Sequence, residues 1–151
     1  MIRILVGSNM EVEVEPISEG PMDLKFRHVI WPTTFAIILV AICAHFFLEY
    51  APPMSLALIL AVVVSPLLGL LTKSGKWNEH LCGVAIVCIP MSGFWLLGES
   101  YCNIAIPFMF WVWMSSSWSK YDLPPFRYGI WHGFGIAFSI IPGALLYDAL
   151  F

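Results

Sequence analysis

The chain has 151 residues, of which 60% are hydrophobic and only 11% are charged, and its formal net charge is −3. Soluble domains carry about 25% charged residues, and a soluble fold of this length would expose a surface that so few charges cannot wet. The composition therefore excludes an ordinary soluble domain. The absence of a basic surface also excludes nucleic acid as a partner. We expect an integral protein of the cell (inner) membrane, with the lipid bilayer as its surroundings.

The first part of the chain, residues 1–27, is a polar arm. It lacks the apolar core and cleavage site of a signal peptide, so we expect it to remain as a cytosolic arm. Ile2–Val6 and Met10–Glu15 alternate like two strands around a turn, whereas Ser8 and Glu11 also fit a capping box at the start of a short helix. The arm is acidic, which favours a protein partner over an anionic membrane surface.

The transmembrane domain, residues 28–151, contains uncharged runs long enough to cross a bilayer. A helix needs roughly 20 residues to cross a hydrocarbon core of about 30 Å, and its backbone groups must be paired within the segment. The runs predict five transmembrane helices, at 28–48, 54–72, 80–98, 100–119 and 128–147. Because the connections are short, neighbouring helices must be antiparallel. The predicted fold class is an all-α, five-helix transmembrane bundle.

The distribution of basic residues predicts the orientation of this bundle. With five helices, the side of the membrane that holds the N-terminus also holds every Lys and Arg, while Glu49, Glu99 and Asp148 lie on the other side. Basic residues are retained in the cytosol, so we expect a cytosolic N-terminus and a C-terminus outside. The basic residues are Arg3, Lys25, Arg27, Lys73, Lys76, Lys120 and Arg127.

An internal pattern connects the third and fifth predicted helices. His80 and His132, 52 residues apart, each begin the pattern H-x-x-G-[VI]-A-x-x-x-I-P. His28 stands at the same interval before His80, but without the glycine and proline. One interpretation is a two-helix unit repeated in parallel, as in some transporters. The other is that histidine and glycine recur because helix entry and close packing favour them.

Ionisable residues at membrane depth are expensive to bury, so each is a candidate functional residue. The predicted polar path consists of His132, His80, Glu99, His45 and Glu49. Imidazole groups relay protons and ligate metals near neutral pH. The competing interpretation is interfacial anchoring, with the ring hydrogen-bonded to a loop carbonyl. We favour anchoring for His28 and His80, and less strongly for His132, because Gly133 and Gly135 leave space around that ring. His45 and Glu49 lie one turn apart, so they form either an outer vestibule or a simple polar pair.

The spacing of the other reactive residues indicates no catalytic, metal or cofactor site. Histidines and cysteines form neither an H-x-x-x-H nor a C-x-x-C motif. Haem would need two facing histidines at matched depth, on opposite helices, and His45 is on the other side from the rest. No serine has the surroundings of a hydrolase nucleophile. We therefore predict that the protein is not an enzyme.

The fifth predicted helix carries two stripes of small residues, which let helix backbones approach closely in lipid. Two stripes on different faces predict a central helix, with another copy of the chain as one candidate neighbour. The first stripe is Gly129, Gly133 and Ala137, and the second is Gly135, Ser139 and Gly143.

Two classes of function fit this sequence. The first is an oligomeric transport or channel component for a small ion or solute, with a polar cavity lined by His132. The second is a non-catalytic subunit, assembly factor or immunity-type protein that packs against another membrane protein, with a dry interior and its small-residue stripes facing that other chain.

Overall fold

The computed structural model describes residues 22–47, 52–97, 102–119 and 121–150. These residues are all helical apart from short connections and contain no strand. The prediction of an all-helical bundle is confirmed, and four of the helices are long and apolar enough to cross a membrane. The hairpin or short helix predicted in the N-terminal arm lies outside the described residues. The helices are α1 (Met22–Phe47), α2 (Pro53–Thr72), α3 (Trp77–Leu97), α4 (Cys102–Ser117) and α5 (Pro125–Leu150).

The helix α4 is shorter than the predicted span at 100–119. Its 16 residues correspond to about 24 Å at 1.5 Å per residue, against a hydrocarbon core of about 30 Å. Near its end, the Ser116 hydroxyl donates to the carbonyl of Trp113 at 2.9 Å, a local bond that competes with regular helix structure. Within the described residues, α4 therefore belongs to the bundle but is not one of the four helices that are long enough to span.

The helix α1 begins at Met22 rather than at the predicted His28. No glycine or proline interrupts the sequence between Met22 and Trp31. The helix therefore continues through the charged segment that precedes the apolar run. As a result, His28 lies inside α1 rather than at its first residue.

The helices alternate in direction along the chain. The beginnings of α1 and α3 both contact the beginning of α5, through His28, His80 and His132. Gly69, near the end of α2, packs against His80, and Ser115, near the end of α4, bonds to Trp131 of α5. All five helices thus share one end of the bundle, here called the basic end. Its described basic residues are Arg27, Lys73, Lys76 and Arg127.

The helix α5 is central, because it packs against α1, α2, α3 and α4. In its first stripe of small residues, Gly129 touches the backbone of α3 at Gly83, and Gly133 faces Val87. In the second stripe, Gly135 faces Trp111 of α4 and Pro32 of α1, while Gly143 faces Ile37 of α1. Both stripes therefore pack against helices of the same chain, and these small residues form intramolecular contacts. Trp131, Ile136 and Ile140 of α5 are almost fully buried in the core that results.

The connection between α2 and α3 folds back onto the start of α5. Lys73 ends α2 with a left-handed backbone (φ 56°), and the Ser74 amide donates to the carbonyl of Gly69 at 3.0 Å. Gly75 also has a positive φ, of 87°, and a Cβ at this position would lie 2.8 Å from Cγ of Pro125. Glycine is therefore required here both by the backbone conformation and by the close approach.

The closest backbone contact, between α3 and α5, gives a first prediction. We expect Gly129→Ala to lower the unfolding temperature in detergent, because the new Cβ would overlap the carbonyl oxygen of His80 and overpacking costs about 1–3 kcal/mol. Gly93→Ala is the matched control, since a Cβ there meets nothing within 4 Å. Unfolding can be followed with a thiol-reactive dye, because Cys43 and Cys88 are free and fully buried. An unchanged unfolding temperature for Gly129→Ala would show that the helices do not cross at this contact.

Candidate functional site

Three histidines form a hydrogen-bonded row across the basic end of the bundle. Nδ1 of His28 lies 3.0 Å from Nε2 of His132, and Nδ1 of His132 lies 2.8 Å from Nε2 of His80. Both distances are typical of hydrogen bonds between neutral groups. His132 on α5 is the central member and uses both of its nitrogens. We call His28, His132 and His80 the histidine row.

The contact between α3 and α5 explains how two of these rings meet. Gly83 lies three residues after His80 on α3, and Gly129 lies three residues before His132 on α5, so each glycine shares a helix face with its histidine. The two glycines bring the helix backbones into direct contact. At that separation the imidazole centroids of His80 and His132 are 5.0 Å apart, in an edge-to-face arrangement.

The histidine row is closed to solvent. His80 and His132 have an exposed fraction of 0%, and His28 of 5%. Burying a polar group without a hydrogen bond is costly, and the contacts within the row provide most of the bonds that these rings require. The polar cavity that we expected His132 to line is therefore replaced by a closed row. An open surface groove of about 350 Å³ lies on α1 and is lined by Phe26, Arg27, Ile30 and Trp31.

An aromatic cap separates the His28 end of the row from water. The ring of Tyr128 stacks on His28 with centroids 4.3 Å apart and an interplanar angle of 13°. The ring of Trp131 also stacks on His28, with a distance of 5.7 Å between the two centroids. The Tyr128 hydroxyl donates to Oδ1 of the exposed Asp122 at 3.3 Å. The Trp131 indole N–H donates to the hydroxyl of Ser115 at 2.9 Å. The cap therefore connects the buried row to a carboxylate at the surface.

The opposite end of the row has an unsatisfied nitrogen. Nδ1 of His80 is buried and has no hydrogen-bond partner among the described residues. It faces α2 at Gly69, where a Cβ would lie 3.2 Å from it. The hydroxyl of Ser139, two turns beyond His132 on α5, is also buried and lacks a partner in the described part of the chain. An unsatisfied buried polar atom is rare enough in proteins to need an explanation.

The structure brings together only part of the predicted polar path. His80 and His132 are in contact, whereas His45 lies near the opposite end of α1, is exposed, and contacts the ring edge of Phe46. Glu49 and Glu99 lie outside the described residues. His28, which we assigned to anchoring, instead donates to or accepts from another histidine. The sequence signal that His28 belongs with His80 and His132 was the equal interval between the three histidines.

The geometry of the row favours proton transfer over metal binding. Its nitrogens point at one another rather than at a common point, and no group of three suitable metal ligands occurs among the described residues. Each neutral imidazole carries one N–H and one lone pair. A row of such rings can therefore take up a proton at one end and release one at the other.

No match to the chain is found among family models, among curated proteins or among solved structures. The function must therefore be inferred from the arrangement of its own residues.

The two hydrogen bonds of His132 give a second prediction, on stability. We expect His132→Phe to lower the free energy of unfolding in detergent, because it leaves Nδ1 of His28 and Nε2 of His80 without partners, at about 1–3 kcal/mol for each. Adding His80→Phe removes one of these unpaired groups. The double variant should therefore lose less stability than the sum of the two single variants.

A double-mutant cycle measured by chemical unfolding in one detergent checks this expectation. His45→Phe is the matched control, because this histidine is exposed near the far end of α1. Strictly additive losses for His80→Phe and His132→Phe would show that the two rings do not interact.

Proposed function

We propose that the protein is a small membrane transport component that conducts protons, or couples their movement to a solute, through the histidine row. The observation that carries this proposal is the pair of hydrogen bonds joining three buried imidazoles. Ionisable side chains within membrane helices are rare, and proton pathways are one of their main uses. Histidine is suited to this role because its ring can donate a proton from one nitrogen while it accepts one at the other.

The contacts at the two ends of the row are consistent with a pathway rather than with simple packing. At one end, Tyr128 and Asp122 provide a hydroxyl and a carboxylate that lead to the aqueous loop. At the other end, Nδ1 of His80 offers an unused position in the core. A purely structural row would be expected to satisfy both of its ends.

Small polar side chains continue from the row towards the other face of the bundle. The buried Cys88 thiol lies 3.9 Å from the carbonyl of Gly133, and the buried Ser55 hydroxyl donates to the carbonyl of Ser92 at 3.1 Å. We propose that protons cross between the row and the far face along the region where α2, α3 and α5 meet.

We further propose that the basic end of the bundle faces the cytosol, with the N-terminus inside and the C-terminus outside. The support is the positions of Arg27, Lys73, Lys76 and Arg127 at this end, since basic residues are retained in the cytosol. We also propose insertion in the cell (inner) membrane, and the support for a membrane location is that four helices are long and apolar enough to cross one. The histidine row would then lie near the cytosolic surface of the bilayer.

The alternative, a subunit that packs against another membrane protein, loses one of its supports. It relied in part on small-residue stripes that would face another chain, and both stripes contact helices of the same chain. Its other expectation, a dry interior, agrees with the buried histidine row, whereas the transport class was expected to show a polar cavity lined by His132. Action as an oligomer and the two-helix repeat remain proposals that depend on the sequence pattern. The repeat gains some support because the equivalent residues His80 and His132 meet.

A third prediction tests transport directly. In liposomes with an internal pH-sensitive dye and a potassium diffusion potential, the protein should admit protons well above the leak of protein-free liposomes. His132→Phe should reduce this flux at least tenfold, because it interrupts the row at its centre. His45→Phe should retain the original rate.

The same liposomes also separate the two classes of function. A folded His132→Phe variant that conducts as fast as the original protein would exclude the row as the pathway. A lack of flux of protons and of simple cations in the unmodified protein would favour the subunit alternative.

A fourth prediction tests the orientation. In a variant whose 4 cysteines are replaced, we introduce Lys76→Cys at the basic end or Pro52→Cys at the opposite end. A membrane-impermeant maleimide should label Pro52→Cys in intact cells and Lys76→Cys only after permeabilisation. The reverse pattern would invert the proposed topology.

A further inference from the structure

The histidine row has only two arrangements of its protons when its rings are neutral. His132 has one N–H and one lone pair, so it must donate from one nitrogen and accept at the other. In the first arrangement, His80 donates to His132, which donates to His28, and Nδ1 of His80 carries a lone pair. In the second, every bond is reversed, and Nδ1 of His80 carries a hydrogen.

The surroundings of His80 distinguish these two arrangements. Its Nδ1 is fully buried against Gly69 and has no acceptor among the described residues. The second arrangement would place an N–H there without any partner, which costs the full desolvation of a buried donor. It would add a third such N–H to the indole groups of Trp95 and Trp111, which have no partner among the described residues. The first arrangement leaves only an unused lone pair, which is the less costly defect.

The charged groups around the row favour the same arrangement. The first arrangement places an N–H on Nε2 of His28. The ring of His28 stacks on Tyr128, and the Tyr128 hydroxyl donates to the carboxylate of Asp122. On the His80 side, the neighbouring Glu79 is paired with Lys76 at 3.5 Å, so the two charges offset each other. Arg127 is directed over the ring of Trp118, with its Cζ 6.0 Å from the centroid.

We infer that the resting histidine row is polarised, with every hydrogen bond donated from His80 towards His28, and that the lone pair on Nδ1 of His80 is its proton-accepting port. The polarisation stands on the geometry alone. The use of the port for transport, with protons entering from the core of the bundle and leaving at the cytosolic end, rests on the proposed function.

One transfer through the polarised row conserves every proton. A proton binds to Nδ1 of His80, and the proton on Nε2 of the same ring moves to Nδ1 of His132. The proton on Nε2 of His132 then moves to Nδ1 of His28, and the proton on Nε2 of His28 leaves past Tyr128 to water. One proton enters, one leaves and no electron is transferred. The row must return to its first arrangement before the next transfer.

Gly69 packs directly against the port. A Cβ at this position would lie 3.2 Å from Nδ1 and 3.3 Å from Cγ of His80, closer than ordinary van der Waals contact between such atoms. A methyl group here would therefore fill the space beside Nδ1 that a transient water or proton donor would need. Gly69 is a positioning residue, since it sets how closely α2 packs on His80.

The polarisation is tested by ¹⁵N NMR of the full-length protein in lipid nanodiscs, with histidine labelled at both ring nitrogens and at a pH where the rings are neutral. The shifts of the two nitrogens show which one is protonated, and single His→Phe variants assign the signals. We expect His80, His132 and His28 all to carry hydrogen on Nε2. A hydrogen on Nδ1 of His80 would overturn the inference.

The port is tested by proton flux into liposomes, comparing Gly69→Ala with the control Gly93→Ala. We expect Gly69→Ala to slow the flux several-fold while its histidine signals still show the same polarisation, and Gly93→Ala to conduct like the original protein. An unchanged rate for Gly69→Ala would overturn the port.

These two experiments also separate this inference from the proposed function. A polarised row in a protein without proton flux would contradict transport and leave the polarisation standing. Flux through a protein whose His80 carries its hydrogen on Nδ1 would support transport and contradict the port.

Discussion

The direct contact between the backbones of α3 and α5 is the constraint on which the rest of the structure depends. In lipid there is little hydrophobic gain from bringing two helices together, so close packing of small residues has to supply the attraction. Gly83 and Gly129 provide that packing. A Cβ at either position would overlap the backbone of the facing helix and force the two helices apart. The same contact therefore stabilises the bundle and builds the histidine row.

The histidine row combines stability with an incomplete bond. Four of its six ring nitrogens are engaged in the two hydrogen bonds within the row, which reduces the cost of burying three polar rings. Nδ1 of His80 remains unsatisfied, although a serine or threonine on α2 could have bonded to it. Proteins retain such local costs mainly where function needs them. The arrangement is consistent with a group that is kept ready to accept a proton.

Much of the fold follows from the sequence, because run length and the requirement for paired backbone groups specify helices in lipid. The small-residue stripes correctly indicated a central fifth helix. The shared pattern pointed to His80 and His132. His28 stands at the same interval but lacks the glycine and proline of the pattern. Its place inside the bundle follows from the continuation of α1 to Met22. The closed row was also beyond prediction. The row depends on how each helix is rotated about its own axis. That rotation is set by packing against the neighbouring helices and cannot be read from the sequence of one helix alone.

The helix α4 packs on α5, the helix that holds the central histidine. Matching the length of a membrane helix to the thickness of the hydrocarbon core carries a modest energetic cost, through tilting, local thinning or thickening of the bilayer. A mismatch at α4 would therefore act next to the histidine row, and the thickness of the bilayer would bear on the helix at the centre of the bundle.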